Sequence, residues 1–281
     1  MPLIFVPTPL GNLRDVTLRA LDVLREAALI VAEDTRTARK LLHALELDGR
    51  EIWSYREQNS AAVTPAILER ARTQIVAVTS DAGMPGVSDP GSALIAAARD
   101  AGIPVDVLPG PSAAFGVAVL SGFSLRRFTF EGFPPRAAAA RRESFAAALR
   151  GGATTIWYES PRRLRAALAD LAHVAPDVRL FVVREYTKVH EQHLWGTPHD
   201  VLSSLPEPVR GEIAFAIAPY AIEAEPAAEE AEAAIDALLA SGRRVGEVAK
   251  LLAKRGFGER RRLYARAAAR QARREPSGNQ T

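Results

Sequence analysis

The sequence contains no cysteine among its 281 residues, which excludes disulfide bonds and thiolate metal sites and fits a reducing compartment. No apolar run approaches the ~20 residues that a membrane-spanning helix needs. The first residues carry no basic segment and reach Pro2 and Pro7 at once, so we expect no signal peptide and a cytoplasmic location. The three-glycine dinucleotide pattern and the Walker loop with its Gly-Lys-Ser/Thr are also missing, so we expect no pyrophosphate-binding loop.

Strand-like and helix-like patterns alternate through the first part of the chain. The predicted strands begin near Leu3, Ala28, Glu51, Ile75 and Pro104, each followed by a helical pattern. Such alternation predicts an α/β domain with a parallel sheet and right-handed crossovers, here residues 1–122. Further strands with several short connections predict a second α/β domain with a mixed sheet, residues 123–220.

Charge is unevenly distributed in the remaining residues, 221–281. Six acids and no base lie in 221–240, whereas 241–281 carry twelve bases and three acids. We interpret this segment as an acidic linker, a small basic helical appendage and a tail that is disordered from Gln271. The basic end suits a polyanion partner, and a solvated helix face with a basic tail explains the charges equally well.

The loop at 80–91 is too unusual for a plain connector. It places three glycines, two prolines and two aspartates between an apolar strand and a helix. Small ligands bind at the carboxyl ends of strands in open α/β sheets, where glycine lets them approach the backbone. Loops rich in glycine or proline also follow the first and fifth strands. Together they predict a site for a nucleoside with a short polar tail, although each loop alone reads as a turn.

Eight short motifs resemble signatures of one family, the ribosomal RNA small subunit methyltransferase I family of the tetrapyrrole-methylase superfamily. They occur in the family's order over residues 3–270 and include runs of four to eight residues, which makes the set specific. The motifs are VPTPLGNL at 6–13, AEDTR at 32–36, SDAG at 80–83, SDPG at 88–91, LPGPSA at 108–113, YESP at 158–161 with Arg163, RE at 184–185 with Thr187 and Lys188, and GE at 211–212.

The resemblance implies methylation of the 2′-oxygen of a cytidine in the decoding region of 16S rRNA, with S-adenosyl-L-methionine as the methyl donor. It implies two α/β domains of the tetrapyrrole-methylase type with the cofactor in the cleft between them, and a homodimer. The apolar pattern of the sequence adds the expectation that no membrane is involved. Met84 departs from the pattern, because the family usually has threonine there.

The resemblance also implies which residues form the cleft. The expected cofactor-binding residues are Pro9, Asp81, Ala82, Gly83, Ser112, Ala113, Tyr158, Glu159, Thr187 and Gly211. Structural roles are the alternatives: Asp81 could satisfy local amides, Ser112 could cap a helix, and Tyr158 could be a core aromatic.

A ribose hydroxyl is a weak acid, so a group that accepts its proton should accelerate the transfer. The candidates are Asp34, Glu185 and Lys188, with an ion-pair network including Arg36 and Arg184 as the alternative, which we prefer for Glu33. Arginines near the cleft are expected to bind RNA phosphates: Arg36, Arg136, Arg141, Arg162, Arg163 and Arg184. His190 and His193 fall on opposite faces of a strand-like pattern, so we expect no metal site.

Two other functions fit parts of the sequence. A tetrapyrrole C-methyltransferase has the same fold, but the motifs at 32–36 and 184–188 and the basic appendage favour RNA. A non-catalytic RNA-binding protein would keep the fold and lose methyl transfer.

Overall fold

The computed structural model describes residues 2–89, 91–220 and 228–274. The chain forms two compact units, Met1–Tyr220 and Ala221–Thr281. None of the helices within the described residues is long and apolar enough to cross a membrane.

A parallel five-stranded sheet, in the order β3-β2-β4-β1-β5, organises the first half of the larger unit. Its strands are β1 (Leu3–Phe5), β2 (Leu29–Ala32), β3 (Ile52–Ser54), β4 (Val76–Thr79) and β5 (Val105–Val107). Four helices connect them: α1 (Leu18–Glu26), α2 (Thr35–Ala44), α3 (Ser60–Thr73) and α4 (Gly91–Asp100). The predicted parallel sheet is confirmed.

Both faces of this sheet are buried, which explains the continuous apolar strands. Successive strand residues point to opposite faces. Leu3 and Phe5 therefore pack with α3 and α4, whereas Ile4 packs with α1 and α2. Such two-sided burial is typical of parallel sheets. Because β1, β2 and β4 run parallel, their carboxyl ends lie at the same edge of the sheet.

A mixed sheet, in the order β6-β7-β10-β8-β9, organises the second half of the same unit. Its strands are β6 (Phe128–Gly132), β7 (Thr154–Glu159), β8 (Leu180–Arg184), β9 (Gln192–Gly196) and β10 (Ile213–Ile217). Only β6 and β7 pair in parallel, so the predicted mixed sheet is also confirmed. The accompanying helices are α5 (Ala113–Leu120), α6 (Ala138–Arg150), α7 (Pro161–Val174) and α8 (Pro198–Ser204).

Helix α5 packs on the second sheet, although a boundary at residue 122 assigns it to the first domain. Ala114, Val117 and Ala118 share a core with β7, β8 and β10. The helix therefore spans from the loop after β5 to the second sheet. A domain division at 122/123 stays a prediction.

The smaller unit consists of α9 (Ala228–Ala240), α10 (Val245–Lys254) and α11 (Arg260–Arg274) around one apolar core. Acids of α9 pair with bases of α11: Glu232 lies 2.7 Å from Arg266 and 2.6 Å from Arg270. Part of the charge asymmetry is thus neutralised within the unit. Because α11 continues to Arg274, disorder from Gln271 was wrong for 271–274, while the linker at 221–227 and the tail after 274 lie outside the described residues.

Candidate active site

A cavity of about 410 Å³ lies where loops of the first sheet face the second sheet. Seven of the ten expected cofactor residues line it, namely Asp81, Ala82, Gly83, Ser112, Ala113, Tyr158 and Glu159. Met84, which replaces the family's threonine, lines it as well. The other three, Pro9, Thr187 and Gly211, are not among the lining residues. The sequence motifs from both halves of the unit therefore meet at one site.

The loop after β4 is held in place by the loop after β1. Thr8 and Gly83 exchange two backbone hydrogen bonds of 2.9 and 3.0 Å, and the Ser80 hydroxyl donates to the Gly83 carbonyl over 3.0 Å. Gly83 has φ +81°, a conformation that favours glycine. Pro9 follows Thr8 directly and so acts on the cavity through this pairing rather than as a wall.

Further along the same loop, Asp89 serves the backbone. Its Oδ1 accepts from the amides of Gly86, at 2.6 Å, and Gly91, at 3.2 Å. Asp81 similarly accepts from the Asp34 amide at 3.2 Å, which connects the ends of β4 and β2. The local-amide role considered for Asp81 is therefore present alongside its position on the cavity wall.

Three carboxyl groups around the cavity have raised pKa values. Burial raises the pKa of Glu33, and the nearby charges of Asp81 and Asp89 raise it further. Burial is also the main cause of the raised pKa of Asp81 and of Asp89. Among the described residues no hydrogen bond or ion pair reaches the Glu33 carboxylate, so it does not belong to the ion-pair network expected for it. These carboxylates disfavour an anionic ligand, and a cationic ligand would reduce the repulsion between them.

Tyr158 connects the second sheet to α5. Its hydroxyl accepts a 3.1 Å hydrogen bond from the Ala114 amide, and its ring packs against Phe130 and Phe133. Ser112 occupies the N-cap position of α5 as considered, but its side chain makes no capping hydrogen bond. Tyr158 satisfies the helix terminus instead, and burial raises the pKa of its hydroxyl. Both readings of Tyr158, packed aromatic and cavity wall, describe its position.

Glu159 is a buried charge on the same wall. One carboxylate oxygen accepts from the Ser160 amide at 2.7 Å, and the other lies 3.2 Å from the Arg163 guanidinium. Arg163 also donates to the carbonyls of Pro134 and Pro135, which lie next to the cavity residue Phe133. The pair therefore fixes the position of the loop between β6 and α6.

The loop after β8 forms a charged corner. Lys188 lies 3.0 Å from both Glu185 and Glu212, and the Glu212 amide donates to Glu185 over 2.9 Å. Glu185 and Thr187 adopt φ of +55° and +64°, which is strained for residues other than glycine. A side chain at Gly211 would collide with Glu185, so the glycine permits this arrangement.

The positive charge of Lys188 and the negative charges of Glu185 and Glu212 stabilise one another in this corner. Partial burial lowers the pKa of Lys188, but its bonds to Glu185 and Glu212 outweigh this effect and leave the pKa raised. Burial likewise opposes ionisation of Glu185, but the Glu212 amide and Lys188 leave its pKa lowered. Both groups are therefore held charged at neutral pH. The corner also contacts the first half of the unit, because the Asn12 amide donates to the Thr187 hydroxyl over 3.3 Å.

Asp34 begins α2 and is similarly occupied. It accepts from the Arg36 amide at 2.8 Å and binds the Arg36 guanidinium at 2.6 and 3.1 Å. These bonds hold the pKa of the Asp34 carboxyl well below its usual range. Asp34 is thus a charged helix cap at the end of β2.

Comparison with known proteins identifies the family of this chain. The family model of tetrapyrrole (corrin/porphyrin) methylases matches residues 2–202. Ribosomal RNA small subunit methyltransferase I of Hydrogenobaculum sp. (strain Y04AAS1) is 38% identical over 222 residues, covering 77% of this chain and 95% of the relative. The protein of that name from Mycobacterium bovis is 38% identical over 275 residues, covering 96% of this chain and 95% of the relative. The chain belongs to the ribosomal RNA small subunit methyltransferase I family.

Solved structures of other proteins share the fold. Diphthine synthase superposes with a TM-score of 0.61 at 15% identity, covering 78% of this chain and 90% of that one. Uroporphyrin-III C-methyl transferase from Thermus thermophilus, complexed with S-adenyl homocysteine, gives 0.55 at 17% identity, covering 77% and 97%. The predicted fold class, two α/β domains of the tetrapyrrole-methylase type, is confirmed.

The arginines that were expected to bind RNA phosphates occupy different environments. Arg141 is 5% exposed and bonded to Asp170 at 2.5 and 2.8 Å, so it does not lie on the surface as phosphate binding requires. Arg163 is bonded to Glu159, and Arg184 donates to Gln192 and to the Arg210 carbonyl. Arg36, Arg136 and Arg162 are exposed.

Some cavity residues of this family member were not predicted. Phe133, Tyr186 and Glu212 line the cavity, and Glu33 was expected to be structural. A second, larger cavity of about 1010 Å³ borders the loop after β3, a strand end to which no ligand role was given. The polar run from Ser54 to Ser60 was the available signal, but it lacks the glycines and prolines that mark the other loops.

Proposed function

We propose that this chain transfers the methyl group of S-adenosyl-L-methionine to the 2′-oxygen of a cytidine in the decoding region of 16S rRNA. The observation that carries the proposal is the 410 Å³ cavity, where the family motifs at 80–83, 108–113 and 158–161 converge. Membership of the ribosomal RNA small subunit methyltransferase I family supports RNA as the substrate, and a ribosomal substrate implies a cytoplasmic location.

The cavity suits this cofactor in charge. S-adenosyl-L-methionine carries a sulfonium and an ammonium group, and cations relieve the repulsion among Glu33, Asp81 and Asp89. Asp81, Ala82 and Gly83 would hold it from the first sheet, and Tyr158 and Glu159 from the second. The proposed set also includes two lining residues, Ser112 and Ala113. Three residues outside the lining complete it by supporting the walls: Pro9, Thr187 and Gly211. When bound, the cofactor supplies an activated methyl group, so positioning provides much of the acceleration.

Proton transfer from the ribose hydroxyl is the step that protein side chains can assist. The sequence offers Asp34, Glu185 and Lys188 as candidates for this step. Alanine variants of each, assayed at saturating cofactor, test them: a variant that keeps over half of the wild-type rate is not the base.

Binding of RNA is proposed for the accessible arginines Arg36, Arg136 and Arg162, with Arg184 and Arg163 supporting loops beside them. Phosphate contacts release counterions, so affinity for 30S subunits should fall steeply with salt. A salt-independent affinity would contradict this part of the proposal.

A homodimer is proposed from an apolar surface on α5. Phe115 and Val119 are 61% and 69% exposed, and the ring of Phe115 packs edge-on against Phe128 of β6. Apolar surface of this kind is typical of subunit contacts. Sedimentation of the wild type and of Phe115→Glu tests it: a wild-type monomer at micromolar concentration would contradict the proposal.

Incubation with tritiated S-adenosyl-L-methionine and 30S subunits that lack the mark tests the function. We expect label on one cytidine ribose of 16S rRNA. Label on a base, or on a tetrapyrrole with none on ribose, would overturn the assignment in favour of another methylase activity. Absence of calorimetric heat with S-adenosyl-L-methionine would instead favour a non-catalytic RNA-binding protein.

A further inference from the structure

The larger cavity, of about 1010 Å³, adjoins the proposed cofactor cavity. The two share Glu33, Ser88 and Asp89 as lining residues. The other lining residues come from the loop after β3, Ser54 and Arg56 to Ser60, and from Ser92 and Ala93 in the first turn of α4. A ligand in the larger cavity can therefore reach a methyl donor in the smaller one past Glu33.

The loop after β3 is preformed by its own hydrogen bonds. The Asn59 side chain accepts from the Arg56 amide at 2.6 Å and donates to the Ser54 carbonyl at 2.9 Å. Arg56 Nε donates to the Glu33 carbonyl at 2.9 Å. The loop thus needs little reordering to bind a ligand, which reduces the entropy cost of binding.

Two polar side chains on this loop remain available. Arg56 is half-exposed, and its ion pair within the described residues is a 3.9 Å approach to Asp34. Gln58 is exposed, and its amide makes no hydrogen bond within the described residues. Together with the hydroxyls of Ser60, Ser88 and Ser92, they offer one cationic group and several neutral donors and acceptors.

This chemistry discriminates between ligands. Glu33, Glu57 and Asp89 would repel a ligand with several carboxylates, such as a tetrapyrrole. A nucleotide divides its charge differently, since its phosphate can stay at Arg56 while the neutral base and ribose enter the cavity. Proteins recognise RNA sequence chiefly on unstacked nucleotides, whose base edges are free for hydrogen bonds.

We propose that the larger cavity receives the target nucleotide, unstacked from the RNA, and that Glu33 accepts the proton of its 2′-hydroxyl. The proposal rests on the proposed function. The phosphate lies against Arg56, Gln58 bonds the base, and the ribose lies at the junction of the two cavities. The new bond joins the 2′-oxygen to the methyl carbon as the carbon–sulfur bond breaks. The hydroxyl proton passes to the Glu33 carboxylate, and the sulfonium charge is lost as the thioether S-adenosyl-homocysteine forms.

Glu33 is chemically suited to this role. Its carboxylate lies where the two cavities meet and has no hydrogen-bonded partner among the described residues. Burial and the nearby carboxylates raise its pKa and outweigh the lowering effect of the Arg56 charge. A carboxylate with a raised pKa accepts a proton more readily than one stabilised by a cation.

Substitutions on the loop test the binding site. Arg56→Ala and Gln58→Ala should each raise KM for unmarked 30S subunits roughly tenfold, the effect of a hydrogen bond to a charged or buried group. Affinity for S-adenosyl-homocysteine, measured by calorimetry, should stay within about twofold. Arg56→Ala should also reduce the salt dependence of 30S binding by about one phosphate contact. Arg72→Ala is the matched control, because Arg72 has a similar exposure and lies outside the cavity.

Filling the cavity gives an independent test. Ala93→Trp should abolish binding of 30S subunits and keep affinity for S-adenosyl-homocysteine, whereas Ala96→Trp, on the same helix outside the lining, should bind both. Glu33→Gln should lower kcat by ~10²-fold or more without changing KM.

The outcomes separate the two levels of the proposal. If the wild type methylates a cytidine ribose but the loop and filling variants match their controls, the nucleotide site is wrong and the function stands. If Glu33→Gln keeps over half of kcat, its role as proton acceptor is wrong. A wild type that binds the cofactor and methylates no ribose overturns the function and this inference with it.

Discussion

Replacing Arg141 with methionine should destabilise the larger unit without a direct effect on RNA. Arg141 and Asp170 have side chains that are 7% and 12% exposed, and their two hydrogen bonds connect α6 to α7. The substitution leaves Asp170 as a buried carboxylate whose remaining partner is Arg142 at 3.5 Å. Removing one member of a buried ion pair costs about 3–5 kcal/mol. For a unit of this size, that corresponds to a fall in Tm of roughly 6–20 °C.

Chemical denaturation of the full-length variants measures this cost. Arg142→Met is the matched control, because Arg142 is the next residue, approaches the same carboxylate and is 41% exposed, so about 1 kcal/mol or less is expected. Asp170→Leu combined with Arg141→Met should recover most of the loss, since no charge is then left unpaired. A loss below 1 kcal/mol for Arg141→Met, or one equal to that of Arg142→Met, would refute the reasoning.

Three further variants probe other contacts. Gly211→Ala should lower the free energy of unfolding by more than Gly152→Ala, because both glycines have positive φ but only a side chain at 211 meets Glu185; equal denaturation midpoint shifts would contradict this. Tyr158→Phe leaves an amide without its acceptor and should cost about 1–3 kcal/mol by chemical denaturation, against none if water replaces the hydroxyl. The pKa of Glu232 is lowered by hydrogen bonding to Arg266 and by the charges of Arg266 and Arg270. The ionised carboxylate therefore stabilises the folded state above the unfolded pKa of about 4.3, and this stabilisation is lost at lower pH. Wild type and Glu232→Gln should differ in thermal unfolding at pH 7 and converge towards pH 3.

The fold class could be predicted because the burial pattern of each strand and helix is visible within its own short stretch of sequence. Apolar strands that are buried on both faces, as at Leu29–Ala32, can be read without knowing their neighbours. Seven of the cavity residues were expected from the family motifs, and the loop that contains Gly83 also stands out by its glycines and prolines. Thr17 and Asp34 cap their helices through residues two or three positions away, so these ends were also accessible to sequence reasoning.

Contacts between distant residues were not accessible in this way. Ser112 fits the pattern of a helix cap, but the amide of Ala114 is taken by Tyr158, 44 residues away. The sequence around Arg141 predicts a surface cation, but in the structure Arg141 is buried and bonded to Asp170, 29 residues later. The loop at Ser54–Ser60 lies beside Glu33 because β3 pairs with β2. Its proposed role in ligand binding therefore depends on the strand order. Sequence alone does not give the strand order.

The acids at the carboxyl ends of the strands differ in the direction of their pKa shifts. This difference indicates which acids position loops and which one can accept a proton. Asp34 and Glu185 have lowered pKa values because Arg36 and Lys188 stabilise their charges, so both are weak proton acceptors that hold the surrounding loops. Glu33 has a raised pKa, and no cation bonds to its carboxylate within the part of the chain that the structure describes, so a proton is accepted there at less cost. Environments that push the pKa values of neighbouring acids apart separate positioning from proton transfer. The same reasoning explains why Lys188, held charged by two carboxylates, fits the first task and not the second.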